Sequence, residues 1–193
     1  MINRPQLWML VGGNGAGKTT FYHKFLRDQG IHFINADLIA KEMAPDQPEA
    51  MSYEAAQIAE QIRFGFLREG ISFCFETVFS HPSKLQFVQQ ARAMGYEVIM
   101  VFIHLGDVQL NIARITQRVA EGGHHVPEDK VVGRLERLVK NIKAAIPYVD
   151  RLVIFDNSHR LGSFNRQLEY VGGTLCYRAE TLESWTAEFI TAK

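Results

Sequence analysis

The stretch Gly12-Gly13-Asn14-Gly15-Ala16-Gly17-Lys18-Thr19-Thr20 has the spacing Gly-x-x-x-x-Gly-Lys-Thr of a phosphate-binding loop. The apolar residues 7–11 before it predict a buried strand, and residues 21–26 after it continue as a helix. Glycines let successive backbone N–H groups turn inward, and the N-terminus of a helix adds the positive end of its dipole. The stretch therefore predicts a site for the phosphates of a nucleotide. A glycine-rich turn without that role would not explain the Lys-Thr pair at its end.

Two side chains of this loop supply what a phosphate site needs. The ammonium of Lys18 is expected to neutralise the β and γ phosphates of the nucleotide. The hydroxyl of Thr19 is placed to ligate the Mg²⁺ that bridges those phosphates. We therefore expect residues 12 to 20 as a whole to bind the nucleotide, with Mg²⁺ as the metal.

The length and charge of the chain narrow the classes of protein to which it can belong. Its 193 residues fit a single domain, which we place at residues 1–193. Lysine plus arginine and aspartate plus glutamate both number 21, so no net positive field favours a nucleic-acid partner. The apolar pattern predicts neither a signal peptide nor a membrane span, and we expect a cytoplasmic protein without membrane contact. Cys74 and Cys176 lie in apolar runs and are expected to be free, buried thiols.

Five predicted strands alternate with helices along the chain. These strands comprise residues 7–11, 31–35, 71–75, 96–104 and 151–155. The alternation predicts a three-layer α/β fold of the P-loop NTPase, nucleotide-kinase-like type, with a five-stranded parallel sheet and right-handed crossovers. A small C-terminal hairpin, at residues 164–170 and 174–177, and a short helix at residues 182–190 are expected to follow.

A long amphipathic helix is predicted between the second and third strands. Its apolar positions repeat at helical spacing from Met51 to Phe66 and end before Gly70. We assign its charged side chains to the solvated face rather than to a site. They are Glu60, Arg63 and Arg68.

Acidic and hydroxyl side chains follow the second and third strands, at the edge of the sheet where the phosphate loop opens. Asp37 is placed to take a proton from an acceptor hydroxyl, or else to cap a helix beginning at Leu38. Glu76 and Thr77 follow the third strand, and Glu76 serves either the acceptor or the magnesium ion. No arginine is adjacent to either strand end, so the lining is expected to repel a phosphate acceptor. It favours a hydroxyl of a sugar-like acceptor.

Residues from about 107 to 146 are predicted to form a helical lid with a glycine hinge. Arg114, Arg118 and Arg134 lie on its two helices and are expected to close over the transferring phosphoryl group. The alternative is that these arginines are surface charges paired with glutamates of the same segment.

Two histidines stand beside that hinge, at positions 124 and 125. They have no carboxylate or cysteine at ligand spacing beside them, which argues against a zinc site. We favour a loop or substrate-contact role for His124.

In combination these segments resemble the zeta-toxin-like P-loop kinases, specifically their short stand-alone branch. The match spans residues 7 to about 158. It rests on the phosphate loop, Ile34-Asn35-Ala36-Asp37, Phe75-Glu76-Thr77, the lid segment from Arg114 to Val126, and Phe155-Asp156-Asn157-Ser158. The resemblance implies ATP or GTP as the phosphoryl donor, Asp37 as the base, Glu76 and Thr77 in the acceptor pocket, and lid arginines on the phosphates. Asn157 is then expected on the nucleotide side of the site.

The resemblance also suggests an acceptor and a partner. In the better-known zeta toxins the acceptor is the 3′-hydroxyl of the amino sugar in UDP-N-acetylglucosamine, which makes this compound the first candidate, and an antitoxin protein is the suggested partner. This chain is shorter, and its lid is built around Gly122-Gly123-His124. Two alternatives are a kinase for another small metabolite or nucleotide, and a nucleotide-dependent switch that hydrolyses ATP slowly and works through a partner protein.

Overall fold

The computed structural model describes residues 4–120, 128–159 and 162–190, and for Arg118 and residues 128–131 it describes the backbone only. Within this part of the chain, seven strands form one sheet. They are β1 (Gln6–Val11), β2 (His32–Ile34), β3 (Phe73–Thr77), β4 (Glu97–His104), β5 (Arg151–Asp156), β6 (Asn165–Val171) and β7 (Thr174–Arg178).

Six α-helices connect or flank these strands in the described residues. They are α1 (Lys18–Phe21), α2 (Ala36–Met43), α3 (Ser52–Glu69), α4 (Ser83–Ala93), α5 (Val108–Ala120) and α6 (Glu128–Ala145). The first of them continues into a π-helical turn (Tyr22–Leu26) and a 3₁₀ turn (Arg27–Gln29). None of the helices described is long and apolar enough to cross a lipid bilayer.

The sheet has the strand order β2-β3-β1-β4-β5-β6-β7. The first five strands in this order run parallel, which confirms the predicted α/β class. The predicted count of five strands is too low, because the C-terminal hairpin is part of the sheet. Strand β6 pairs antiparallel with β5, as in the pair Ile154 and Leu168, and β7 pairs with β6. The hairpin covers the edge that β5 would otherwise expose, and an uncovered edge is open to pairing with another chain.

Helices cover both faces of the sheet, and each face has its own apolar core. Because β1 and β4 are buried almost throughout, they contribute side chains to both layers. One layer joins the sheet to α3, α4 and α6 through residues that include Phe75, Phe87, Val88, Leu138 and Ile142. The other joins it to α1 and the turns that continue it, and includes Phe21, Leu26, Cys74, Val101 and Phe164.

Some element boundaries differ from the predicted ones. Strand β3 begins and ends two residues later than predicted, so Glu76 and Thr77 are its last residues and pair with Leu10 and Val11 of β1. This register brings Glu76 beside the start of the phosphate loop. The predicted C-terminal helix is a 3₁₀ helix at Ser184–Glu188.

The assignment of Arg63 to a solvated face is wrong. Its side chain is only 8% exposed, and it belongs to the buried stripe of α3 together with Ala55, Ala59 and Leu67. Positions four apart share one face of a helix, so the arginine stands on the face that packs against the sheet. The prediction for the thiols is half wrong, since Cys74 is buried and Cys176 is exposed.

The two helices of the predicted lid are both present, and their ends differ in environment. Leu138, Ile142 and Ala145 in the second half of α6 are fully buried in the main core. Moving them would expose apolar surface, so this half of the helix is part of the domain body. The lid stays a prediction for the segment between the middle of α5 and the first half of α6.

Candidate active site

The phosphate loop follows β1, and its first residue, Gly12, lies so close to β4 that no side chain fits there. A Cβ atom on Gly12 would lie 2.2 Å from the carbonyl oxygen of Ile103 in β4. Gly15 and Gly17 have φ angles of 76° and 101°, in the left-handed region that glycine adopts without strain. The loop therefore lies against the end of β4 and turns back to start α1 at Lys18, and no side chain in the described residues caps that helix.

Lys18 is buried and its ammonium lies across the loop. Its Nζ atom donates to the carbonyl oxygens of Gly12 at 3.0 Å and Gly13 at 2.9 Å. A buried ammonium needs such partners because the cost of removing it from water is high. The lysine thus lies where the sequence pattern predicts a cation for a bound phosphate.

Thr19 lies beside the carboxylate that ends β3. Its Oγ1 hydroxyl donates to Oε2 of Glu76 at 2.8 Å. Because the hydrogen of the hydroxyl is directed to the carboxylate, the lone pairs of Oγ1 remain as acceptors or metal ligands. This contact joins the two residues that the sequence proposed for the magnesium side of the site.

Asp37 is an exposed residue in the first turn of α2. The helix is capped by Asn35, whose side-chain oxygen accepts from the backbone N–H groups of Asp37 at 2.8 Å and Leu38 at 3.3 Å. The alternative in which Asp37 caps the helix is therefore wrong. Its carboxylate is left available at the carboxyl end of β2.

Thr77 is followed by a strained turn. The hydroxyl oxygen of Thr77 accepts from the backbone N–H of Phe79, which has a φ of 60°. A buried aromatic residue in the left-handed region is held there by its surroundings, and the Phe79 carbonyl accepts from Asn141 of α6 at 2.8 Å. The turn fixes the direction in which the chain leaves β3.

Arg114 of α5 lies against the phosphate loop. Its Cβ atom would be 3.1 Å from a Cβ placed on Gly15, and its Nη2 donates to the carbonyl of Asn157 at 2.9 Å. Burial lowers the pKa of the guanidinium, and the nearby Asp156 opposes that shift. Its Nη1 is buried and has no partner within the described residues. An unpartnered buried donor of this kind is expected to face a ligand or an ordered water.

Two asparagines hold the loop from behind. Asn157, predicted on the nucleotide side, is fully buried and donates to the carbonyl of Ala16 at 2.8 Å, while its Oδ1 accepts from the N–H of Gly162. Both ends of its amide are engaged, so its side chain supports the loop, and its place on the nucleotide side stays a prediction. Asn111 of α5, which the sequence reasoning missed, donates to the carbonyl of Asn14 at 2.7 Å. It could have been found as a polar residue between apolar positions of an amphipathic helix.

The structure describes the other predicted site residues, Arg134, Arg118 and His124, to different extents. Arg134 is half-buried on α6, one residue before Leu135, which approaches Gly13 of the loop. Arg118 lies on α5, one turn beyond Arg114, with its backbone alone described, and His124 lies outside the described residues.

A second group of side chains lies where β4 and β5 end. The pKa of His104 is lowered to about 4 by burial, with Asp156 opposing the shift. Its ring lies 4.5 Å from that of Trp185. Asp156 also lies within 4.8 Å of His159 and Glu183, a geometry that could hold a cation. Both carboxylate oxygens of Asp156 already accept from Ser158, so we assign no metal to this group.

Comparison with known proteins identifies a family and a relative. A family described as AAA domain (AAA_33) matches residues 7–141 of this chain. An uncharacterized protein of Haemophilus influenzae is 31% identical over 135 residues, which are 66% of this chain and 96% of that protein.

Solved structures share the fold at low sequence identity. The AvrRxo1-ORF1:-ORF2 structure with ATP has a TM-score of 0.71 at 18% identity, covering 90% of this chain and 60% of that one, so this chain spans less than two thirds of its length. The PezAT toxin-antitoxin system of Streptococcus pneumoniae has a TM-score of 0.66 at 18% identity, covering 96% and 77%. A gluconokinase from Sinorhizobium meliloti has a TM-score of 0.52 at 16% identity, covering 84% and 88%. Together with the family match, these likenesses confirm the predicted zeta-toxin-like P-loop kinase fold.

Proposed function

The chain belongs to the AAA domain family (AAA_33), and we propose that it is a kinase that transfers the γ-phosphoryl group of ATP or GTP to a hydroxyl of a small, sugar-like acceptor. Such a reaction asks the protein to hold the phosphates, to support a metal ion, and to orient and deprotonate the acceptor oxygen. The described residues offer a group for each of these tasks.

The residues around the loop fit a nucleotide. The closeness of Gly12 to Ile103 leaves no room for a side chain, and the helix that begins at Lys18 points its uncapped N–H groups at the loop. The Nη1 of Arg114, which has no partner among the described residues, adds a buried donor on a side chain that starts beside Gly15. Lys18, the loop N–H groups and Arg114 would hold the phosphates, with Asn111 and Asn157 fixing the shape of the loop.

The contact between Thr19 and Glu76 fits a magnesium ion. Mg²⁺ prefers oxygen ligands and usually keeps several waters, so one hydroxyl and a neighbouring carboxylate suit it. When bound, the ion would neutralise charge on the phosphates. Thr19 would supply a ligand oxygen, and Glu76 would orient that hydroxyl by accepting its hydrogen. This favours the magnesium side of the two roles left open for Glu76.

The observation that carries the choice of a hydroxyl acceptor is the state of Asp37. Because Asn35 caps α2, the exposed Asp37 carboxylate is not used as the cap of that helix. It stands at the carboxyl end of β2, on the edge of the sheet where the phosphate loop opens. A hydroxyl must lose its proton as its oxygen attacks, whereas a phosphate arrives already ionised. A free carboxylate at this edge suits the first acceptor and would repel the second.

The arginines complete the proposal. Arg114 is fixed beside the loop, whereas Arg118 lies on α5 and Arg134 on α6, the helices before and after the predicted hinge. We assign Arg118 and Arg134 to the charge that develops on the transferred group. A substrate contact for His124 is part of the same proposal.

A screen by ³¹P NMR tests the function. The protein is incubated with Mg²⁺, with ATP or GTP, and with one acceptor at a time: UDP-N-acetylglucosamine, neutral sugars, sugar acids, sugar phosphates and nucleoside monophosphates. A new phosphate-ester signal that requires both a hydroxyl acceptor and Lys18 supports a kinase. Release of phosphate at a rate that no acceptor changes would instead support a nucleotide-dependent switch.

A protein partner is a second part of the proposal. The PezAT structure is that of a toxin-antitoxin system, and the AvrRxo1-ORF1 structures contain a second component. By analogy of fold alone we propose an antitoxin-like protein that blocks the site. Growth arrest on expression of this chain, relieved by Lys18→Ala, would support it, whereas arrest that persists in the variant would argue against it.

A further inference from the structure

Arg63 is an arginine on the buried stripe of α3. Its neighbours on this stripe are Ala59, one turn before, and Leu67, one turn after, and both belong to the main core. The side chain of Arg63 exposes 8% of its surface. Arginine is rarely buried to this extent unless it is paired.

Two aromatic rings lie against this guanidinium. Its central carbon lies 5.0 Å from the ring centre of Phe75 in β3 and 5.8 Å from that of Phe87 in α4. Cation–π contacts offset part of the loss of hydration. Within the described residues, Arg63 makes no hydrogen bond and no ion pair within 4 Å. Its N–H donors are thus held in place without a partner of opposite charge, and burial lowers the pKa of the guanidinium.

A second cation lies close by. Lys84 is half-buried in the first turn of α4, and its pKa is lowered by burial and by the charge of Arg63. The exposed Glu60 opposes the shift at both residues but is too distant for an ion pair. Two like charges brought together in a partly buried position destabilise the folded chain unless an anion joins them.

The position of this pair relates it to the acceptor side of the site. Because β2 and β3 are parallel neighbours and α3 ends shortly before β3, this helix runs back from the carboxyl edge of the sheet to the amino edge. Side chains on a helix point toward its N-terminus, so the Arg63 side chain is directed toward the carboxyl edge. Phe75, which contacts the guanidinium, is on the same face of β3 as Thr77, the last residue of that strand. Lys84 lies at the end of α4 that follows this strand. The two cations are therefore directed toward the carboxyl end of β3, and Asp37 follows the carboxyl end of the neighbouring strand β2.

We propose that Arg63 and Lys84 bind an anionic group of the phosphoryl acceptor, a carboxylate or a phosphate set apart from the hydroxyl that reacts. This inference rests on the proposed function and narrows it to acidic acceptors. The sequence has no arginine next to the end of β2 or β3, and Arg63 comes instead from α3, the helix that precedes β3. The reacting group is still a hydroxyl, since Asp37 stands at that edge.

A binding experiment tests the anion site without any turnover. The protein is loaded with Mg²⁺ and a non-hydrolysable ATP analogue, so that the phosphate loop is occupied, and is titrated with inorganic phosphate by calorimetry. We expect Arg63→Met to weaken phosphate binding at least about tenfold, since charge-assisted hydrogen bonds are lost. The matched control is Arg68→Met, an exposed arginine on the same helix, which should bind phosphate as the wild type does. Equal binding by wild type and Arg63→Met would overturn the proposal.

Matched pairs of acceptors identify the anion. A sugar acid is compared with the alditol of the same hydroxyl pattern, and a sugar phosphate with its parent sugar. We expect the anionic member of one pair to have the lower KM, and Arg63→Met to raise that KM by about ten- to a hundredfold with a smaller change in kcat. A difference in KM within the sugar-acid pair indicates a carboxylate, and a difference within the sugar-phosphate pair indicates a phosphate. A KM that is equal for both members, in wild type and variant, contradicts the acidic acceptor but not the kinase. If phosphate binding depends on Arg63 while no acceptor is phosphorylated, the kinase fails and the anion site stands.

Thermal unfolding separates a ligand site from a structural role. Without a ligand the guanidinium has no ion-pair partner in the part of the chain that the structure describes, so Arg63→Met should leave the unfolding temperature unchanged or raise it. A lowered unfolding temperature with unchanged phosphate binding would show that Arg63 only packs against Phe75 and Phe87. If Arg63→Met does not fold, the same phosphate titration is made with Lys84→Met, since Lys84 is the less buried of the two cations. Phosphate binding by Lys84→Met that equals wild type would contradict the site.

Discussion

The hydroxyl of Thr19 donates to the carboxylate of Glu76 at 2.8 Å, across the junction of the phosphate loop and β3. The two residues are 57 positions apart in the chain and meet because β1 and β3 are parallel neighbours in the sheet. This contact sets the hydroxyl so that its lone pairs can face a cation. It links the metal side of the site to the strand that also carries Thr77.

The first prediction concerns Glu76. We expect Glu76→Gln to weaken Mg²⁺ binding in the presence of nucleotide by about ten- to a hundredfold, because the amide supports the Thr19 hydroxyl less well than a carboxylate does. Titration of nucleotide-loaded protein with Mg²⁺ measures this effect. Glu69→Gln, at the exposed end of α3, is the control. Unchanged Mg²⁺ affinity in Glu76→Gln would contradict the magnesium role and favour a contact between Glu76 and the acceptor.

The second prediction compares two glycines. A methyl group on Gly12 meets the Ile103 carbonyl at 2.2 Å, so Gly12→Ala must displace β4 or the loop. We expect a loss of about 2 kcal/mol or more in the free energy of unfolding, together with loss of nucleotide binding. Gly65→Ala, in open space within α3, should gain up to about 1 kcal/mol, because alanine favours a helix. Chemical denaturation of both variants checks the pair, and equal stability of the two would contradict the close approach of β4.

The third prediction concerns the arginines of α5 and α6. Arg118→Ala should lower turnover by about ten- to a thousandfold with little change in folding stability, because it acts on charge in the transition state. Arg114→Ala should instead weaken nucleotide binding, since that side chain is fixed beside the loop. Arg134→Ala should show a smaller effect on rate. Steady-state kinetics and calorimetry separate these outcomes. Wild-type rates in Arg118→Ala and Arg134→Ala would mean that these two arginines are surface charges, and unchanged nucleotide affinity in Arg114→Ala would contradict its role at the loop.

The fourth prediction is a pH dependence of stability. His104 has a pKa of about 4 in the folded protein and an ordinary value near 6.5 when unfolded. Below pH 6.5 the unfolded chain therefore binds a proton that the folded chain does not, and stability falls until about pH 4. We expect His104→Phe to remove about 1–2 kcal/mol of the stability that is lost between pH 7 and 4.5, after allowance for the partial exposure of the ring.

Denaturation at the two pH values measures this difference. The variant His23→Gln, on the exposed side of the first helical segment, is the control and should leave the pH dependence in place. A wild type and a His104→Phe variant that lose equal stability on acidification would contradict the burial of a neutral imidazole.

Local sequence signals predicted most of the fold. The continuous apolar runs identify β1 and β4 because strands buried on both faces cannot alternate. Gly172 and Gly173, with φ angles of 55° and 80°, form the hairpin turn where the sequence places it. The pairing of β6 with β5 was not predicted, since which edge a hairpin joins depends on contacts that no local pattern encodes.

The site was predictable in its loop and less so in its surroundings. The spacing of Lys18 and Thr19 follows from the chemistry of phosphates and magnesium, so the sequence alone locates them. Arg63 was misplaced because a charged residue is expected to face water, although its spacing from Ala59 and Leu67 puts it on the buried stripe. Asn35 took the capping role considered for Asp37, since both residue types cap helices and only the backbone geometry decides between them.

In the proposed reaction, the exposed Asp37 carboxylate accepts the proton of an acceptor hydroxyl during phosphoryl transfer. Asp37→Asn keeps the shape and most hydrogen bonding of the side chain but cannot take that proton. The measurement is the rate of phosphate-ester formation by ³¹P NMR on the best acceptor of the screen, together with ATP affinity by calorimetry. We predict a rate at least about a hundredfold below wild type with ATP binding intact. Diphosphates formed from nucleoside monophosphates, no product from any hydroxyl acceptor, and full activity in Asp37→Asn would contradict a hydroxyl kinase with Asp37 as its base.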